Sequence, residues 1–359
     1  MDKIVLTCMV CVKPLERAAC PIFWLATFTC LFLSLASGSV AAQTTPGPCE
    51  EGRALVLRKD FASAQAELWK CVLATAPSRE SAWLLAQTYR ELKNYDDGLS
   101  RLGERVSESK PPIDLLYLQG FLLFRAGKHR ESIDVLGRGF RVDPQDWRIH
   151  HVFALNYVVL GIEEGALHEL QVAIQLNPRN AELHYQLARL LYSQSRITES
   201  VEASERVIAL EPDYADVHTN LGLCYEGLGE DTKARASYEK AIQINHRLER
   251  KDEWPFLNYA AYLIKQEAAG RSLVLLAEAL EHNPSSGRAH YLRGKALRKL
   301  DRLPEAKQDL ERAIALDPKD ASPFYELGML LRRLGDPAGS KRMLETFQAL
   351  SKKSAPVAR

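Results

Sequence analysis

The sequence repeats itself every 34 residues. Pro144, Pro178 and Pro212 stand 34 residues apart, and so do Pro284 and Pro318. A chain with such a period builds one small unit many times. A unit too small to bury its own apolar face must stack on its neighbours. With those prolines at position 32 of each unit, repeats begin at Thr45, Arg79, Ile113, Trp147, Ala181, Ala215, Glu253, Gly287 and Ala321. The phase breaks once, by four extra residues ahead of Glu253 in the stretch HRLERKDEW.

In this register position 8 reads Gly52, Ala86, Gly120, Ala154, Ala188, Gly222, Ala260, Gly294 and Gly328. Position 20 reads Ala64, Gly98, Ser132, Ala166, Ser200, Ala234, Ser272, Ala306 and Ser340. Every one is small, which suits two helices that approach closely. Position 27 is mostly small too, with Arg105 and Phe347 as exceptions. Apolar residues at positions 4, 7, 8 and 11, and again at 20, 24, 27 and 28, keep helical spacing. Between the two runs lies a turn near position 15, often glycine (Gly127, Gly161, Gly229, Gly335), which can stop the first helix. The proline at position 32 or 33 stops the second. Each repeat therefore reads as a helix–turn–helix hairpin.

Small residues at 8, 20 and 27 with proline at 32 resemble the tetratricopeptide repeat, over Thr45 to Lys353. The resemblance implies an all-α fold: an α-α solenoid of about nine repeats, wound as a right-handed superhelix with the first helices on the concave side. The expected organisation is a leader over residues 1–42, a solenoid over 43–353 and a tail over 354–359. The resemblance is specific for fold and nearly silent on function.

The leader is read from its own pattern. Lys3, Lys13 and Arg17 precede an apolar run from Pro21 to Leu35, and Val40 and Ala42 sit at −3 and −1 of a small-residue stretch. That is the pattern of a secretory signal cleaved after Ala42. The expected location is outside the cytoplasm, in a bacterial periplasm. The alternative is an uncleaved membrane anchor over residues 21–42, the one route to a membrane partner. Met9 is a second candidate start. Removing 1–42 leaves 44 basic and 44 acidic residues, and Cys49, Cys71 and Cys224 of the seven cysteines. A neutral exported chain is not built for nucleic acid.

The sequence shows no catalytic spacing: no P-loop, no Gly-x-Ser-x-Gly, no HExxH. Neither enzymatic activity nor a cofactor is expected. His150, His184, His218 and His290 all occupy position 4, but a metal would need them within about 2.1 Å of one ion. Residues on four stacked repeats cannot meet that, so no metal is expected and the histidines read as an inter-repeat packing position. Cys49 and Cys71 lie at opposite ends of the two helices of the first hairpin, which antiparallel packing brings together. They are a candidate disulfide, favoured by an oxidising compartment. Cys224 reads as a buried free thiol.

The family resemblance places positions 2, 5, 9, 12 and 13 in the groove. There it predicts an apolar wall of Tyr117, Phe121, Phe124, His151, Leu155, Val158 and Val159. It also predicts a basic end of Lys265, Arg288, Lys295, Arg298, Lys299, Arg332 and Arg333; the stretch from Gly287 onward carries 16 basic and 9 acidic residues. Such surfaces fit an extended peptide with apolar anchors and an acidic stretch or free carboxylate. Gln186, Asn220 and Asn258 at position 6 resemble a short form of the asparagine ladder with which the O-linked N-acetylglucosamine transferase holds peptide backbone. The expected function is an exported, non-enzymatic scaffold for a protein or peptide. The alternative is a substrate-recruiting or assembly subunit of an envelope enzyme or secretion complex.

Overall fold

The computed structural model describes residues 47–74, 78–107 and 110–354. The expected leader, its cleavage site and most of the tail lie outside the described residues. Eighteen α-helices are found among the described residues, paired as hairpins. They are α1 (Pro48–Leu57) with α2 (Phe61–Val72), α3 (Arg79–Leu92) with α4 (Tyr95–Leu102), and α5 (Ile113–Arg125) with α6 (His129–Val142). Then come α7 (Trp147–Val159) with α8 (Glu163–Leu176), α9 (Ala181–Ser193) with α10 (Ile197–Leu210), and α11 (Ala215–Gly227) with α12 (Asp231–Arg247). The last are α13 (Trp254–Lys265) with α14 (Ala269–His282), α15 (Gly287–Lys299) with α16 (Leu303–Leu316), and α17 (Ser322–Arg333) with α18 (Pro337–Ser354). The fold is the expected all-helical solenoid.

Position 8 is small because position 24 of the same hairpin lies on it. A Cβ added at Gly120 would come within 2.5 Å of Leu136, and one at Gly222 within 2.5 Å of Tyr238. Leu136 and Tyr238 are fully buried and cannot retreat. Serine at position 20 adds a bond across the same contact: Ser132 Oγ donates to the Gly120 carbonyl and Ser200 Oγ to the Ala188 carbonyl, both at 2.7 Å. These bonds satisfy buried hydroxyls without spreading the helices.

The turn at position 15 is left-handed in every hairpin. Gly127, Gly161, Gly229 and Gly335 have positive φ there, and so do Lys59, Lys93, Ser195, Glu267 and Asp301. This is the left-handed residue that commonly terminates a helix. Position 34 caps the next first helix where it is polar: the side chains of Ser78, Asp146, Asn180 and Ser286 accept backbone N–H groups.

Two departures from regularity matter. In the second hairpin Gly103, at φ 27°, ends α4 early and a 3-10 turn over Gly103–Ser107 replaces the rest of the expected helix. The four extra residues before Glu253 divide between an extended α12 and a longer connection, Leu248–Glu253. Cys49 and Cys71 form a disulfide with their Cα atoms 5.4 Å apart. Cys224 is buried and free, as read from the sequence.

Candidate interaction groove

Successive first helices set a lane of side chains at position 2: Asp114, Arg148, Glu182, Asp216, Trp254 and Arg288. At its start the lane is filled by its own residues. The Arg148 guanidinium donates to Asp114 at 2.7 Å, to Asp146 at 2.5 and 2.9 Å, and to the Arg79 carbonyl at 2.7 Å. It also lies 4.7 Å from the Tyr117 ring centroid and is 1% exposed. Three charges and a ring thus close the groove floor between the third and fourth repeats.

This corrects the expected apolar wall. Tyr117 and Phe121 are buried, Tyr117 beneath Arg148, and His151 is buried against Trp147 at 6.4 Å between ring centroids. They pack between helices and offer little to a partner. Phe124 and Leu155 are half-buried, while Val158 and Val159 are exposed where α7 ends, followed by exposed Leu160 and Ile162. Burial lowers the His151 pKa, and its Nε2 is buried without a hydrogen-bond partner.

The amide ladder is corrected too. Asn220 is buried, and its Nδ2 donates to Ser200 Oγ and Ser204 Oγ at 3.1 and 3.0 Å, inside the repeat contact. Gln186 donates to Glu182 at 2.6 Å. Asn258 lines an opening, a 260 Å³ cavity shared with Trp254, Arg288, Asp317 and Asp320.

Most of the basic end is neutralised by the neighbouring repeats. Lys265 pairs with Glu226 at 2.5 Å, Arg298 with Glu326 at 2.8 Å, Lys299 with Glu267 at 2.6 Å and Arg333 with Asp301 at 2.8 Å. Lys295 stands 3.9 Å from Glu326. Arg288 instead lies over Tyr291, 5.5 Å from its centroid, and Arg332 donates to Met329 Sδ at 3.5 Å. Trp254 and Tyr325 are 57% and 42% exposed.

The histidines at position 4 have a role that periodicity alone did not specify. The Nε2 of His150, His184, His290 and His218 faces the carbonyl of Pro144, Pro178, Pro284 and Pro212, at 2.9, 2.9, 3.3 and 3.5 Å. Each thus closes the joint between its repeat and the preceding one. The six-residue offset between histidine and proline, present four times, was the available signal. His150 also offers Nδ1 to Glu169 at 2.6 Å. Burial pulls its pKa down, but Glu169 and the Pro144 carbonyl outweigh that and hold it above the ordinary value. Among the described residues no group of three or more His, Cys, Asp or Glu could hold a metal ion.

Residues 185–247 and 287–320 match family models described as tetratricopeptide repeat. The chain is a tetratricopeptide-repeat protein, an all-helical scaffold of the class that serves protein–protein interaction. It is similar to BBSome complex member BBS4 of Bos taurus, 28% identical over 112 residues, 31% of this chain and 21% of that protein. It is also similar to DnaJ homolog subfamily C member 7 of Homo sapiens, 25% identical over 168 residues, 44% of this chain and 34% of that protein. The chain thus spans one fifth to one third of the length of these relatives. The crystal structure of the APC/C hetero-tetramer Cut9–Hcn1 shares the fold, with a TM-score of 0.66 and 14% identity, covering 78% of this chain and 54% of that one.

Proposed function

We propose that the protein is an exported scaffold that holds a protein or peptide along the lane of its first helices, with no chemistry of its own. The observation that carries this reading is the set of large side chains left in solvent on the first helices. Val158 and Val159 stand exposed at the end of α7, Trp254 stands exposed in the opening it shares with Arg288, and Tyr325 stands exposed on α17, the helix that ends in Arg332 and Arg333. Apolar surface left exposed next to cations marks a contact for another molecule. The signal pattern of residues 1–42 and the Cys49–Cys71 disulfide support export. The relative described as a complex member supports an assembly role.

The test is crosslinking affinity capture from the native source with tagged protein starting at Gln43. A partner retained by the wild type and lost by Val158→Asp/Val159→Asp or by Trp254→Ala supports the lane. Equal capture by all three removes it. If the captured protein is an enzyme, the recruiting-subunit reading takes precedence. A mass spectrum of the natural protein beginning at Gln43 supports cleavage, and one retaining residues 21–42 supports the anchor.

A further inference from the structure

The stretch that holds the four-residue insertion carries a guanidinium to the first helix of the preceding repeat. The connection Leu248–Glu253 is longer than Asp143–Asp146, its counterpart between α6 and α7, and turns through Glu249 at φ 50°. From it Arg250 reaches back to Asp216, the position-2 residue of α11. Arg250 Nη2 lies 3.2 and 3.4 Å from the two oxygens of Asp216 and 3.6 Å from Asp252. One nitrogen thus faces three oxygens at long range. A guanidinium that fits its carboxylate makes two short parallel bonds. The side chains of Arg250 and Asp216 are each 33% exposed, whereas Arg148, held on the same lane by short bonds, is sealed. Arg148 is part of the wall; Arg250 is an occupant.

The surroundings suit such an occupant. Glu182, the preceding position-2 carboxylate, is aimed by the Tyr214 hydroxyl at 2.5 Å and by Gln186. Burial raises its pKa, but those two bonds, with His151 and Arg90, keep it below the ordinary value. Burial pushes the Asp216 pKa up and Arg250 pulls it back, while Asp252 and Glu182 add to the rise, so it stays above the ordinary value. The rings of Tyr185 and Tyr214 lie 5.0 Å apart beside these acids, and Arg189 stacks over Tyr185 at 5.7 Å. The buried, unpartnered Nε2 of His151 belongs to the same stretch, on the repeat before Glu182.

We propose that Glu182 and Asp216, with the Tyr185–Tyr214 pair beside them, form a subsite for an arginine of a bound peptide, and that Arg250 occupies this subsite in cis as an internal competitor. The proposal rests on the lane being the binding surface. It commits to a cationic segment at the middle of the groove, where the sequence alone pointed to an acidic ligand at the far end. Displacing a half-exposed ion pair costs little, so the insertion sets a threshold for binding without closing the site.

The test uses purified protein from Gln43 and fluorescein-labelled hexa-arginine, with hexa-glutamate as control, read by anisotropy at low salt. Arg250→Ala and the length-preserving Arg250→Gln are each expected to tighten hexa-arginine binding about fivefold. Asp216→Asn in the Arg250→Gln background is expected to lose that gain and to weaken binding about tenfold overall. Circular-dichroism melts identify any variant that has unfolded. Unchanged or weaker binding by both Arg250 variants overturns the proposal. So does equal binding by Arg250→Gln with and without Asp216→Asn, or no hexa-arginine binding by any of these proteins. The lane itself is judged separately: loss of native capture by the Trp254 and Val158/Val159 variants with no Arg250 effect leaves the lane standing and removes the competitor.

Discussion

Replacing Arg148 by methionine tests whether the groove floor is a sealed ion cluster. Methionine keeps much of the length and packing of the side chain and removes its charge. The change strips Asp114 and Asp146, both buried, of the guanidinium that holds them at 2.7 and 2.5 Å. It also removes the donor to the Arg79 carbonyl and the cation over Tyr117. Removing one partner of a buried ion pair costs about 3–5 kcal/mol, because the other charge stays buried and unpaired. The four interactions here place the expected loss in the upper half of that range. Arg148→Lys keeps the charge but reaches fewer acceptors, and about 1–3 kcal/mol is expected for each charged bond left unmade. Adding Asp114→Asn to Arg148→Met should recover part of the loss, a coupling that a double-mutant cycle isolates. The assay is urea unfolding followed by circular dichroism. Tryptophan fluorescence serves as a second probe, because a stacked array need not unfold in one step. A loss below about 1 kcal/mol, the level of an exposed pair, would show that water reaches the cluster and would refute its sealing of the groove.

Other outcomes follow from features already described. Replacing Ser195 or Glu267 by glycine should stabilise the fold by about 0.5–1 kcal/mol each, since both hold the left-handed conformation at position 15; a loss in thermal melting would contradict that geometry. Breaking the terminal clasp with Cys71→Ser should cost about 3 kcal/mol for a loop of this length. Alkylation of the unreduced wild-type protein from Gln43, unfolded in urea, should label one thiol, Cys224, and labelling of three would remove the disulfide. Two neighbouring histidines should titrate in opposite senses. His150 is held above its ordinary pKa, so its stabilisation is full below the unfolded value and is lost as pH rises through the folded one. His151 is held below, so it opposes folding as pH falls and the unfolded chain takes up the proton. Urea midpoints of His150→Gln and His151→Gln against wild type at pH 5.5 and 8.5 should diverge in opposite directions, and parallel shifts would refute the assignment.

The fold could be read from the sequence because a period of small and apolar residues reports a contact made in every repeat. Gly120 under Leu136 and Gly222 under Tyr238 are that contact. The groove could not be read in the same way. A groove-facing position is equivalent in every repeat by register alone. Its exposure depends on what the next repeat places over it. Tyr117 disappears beneath Arg148 while Tyr325, at the same position six repeats on, stays exposed. The basic end looked strong when charges were counted along the chain. The carboxylates that answer Lys265, Lys299 and Arg333 lie 39, 32 and 32 residues away, one repeat across, and a count within one stretch does not pair them.

The histidine clasp at the joints bears on how the scaffold carries load. Pro144–His150 and Pro178–His184 are closed at 2.9 Å, Pro284–His290 at 3.3 Å and Pro212–His218 at 3.5 Å. Phe256 takes that position after the insertion, as Ala82, Leu116 and Phe324 do in other repeats, and none of them has a ring nitrogen to offer. A spring assembled from such units has uneven stiffness, firm along the fourth and fifth repeats and softer at the joints without the clasp, the seam that carries Arg250 among them. A partner bridging the sixth and seventh repeats would act as a splint across one such joint, stiffening the rod where the clasp is missing.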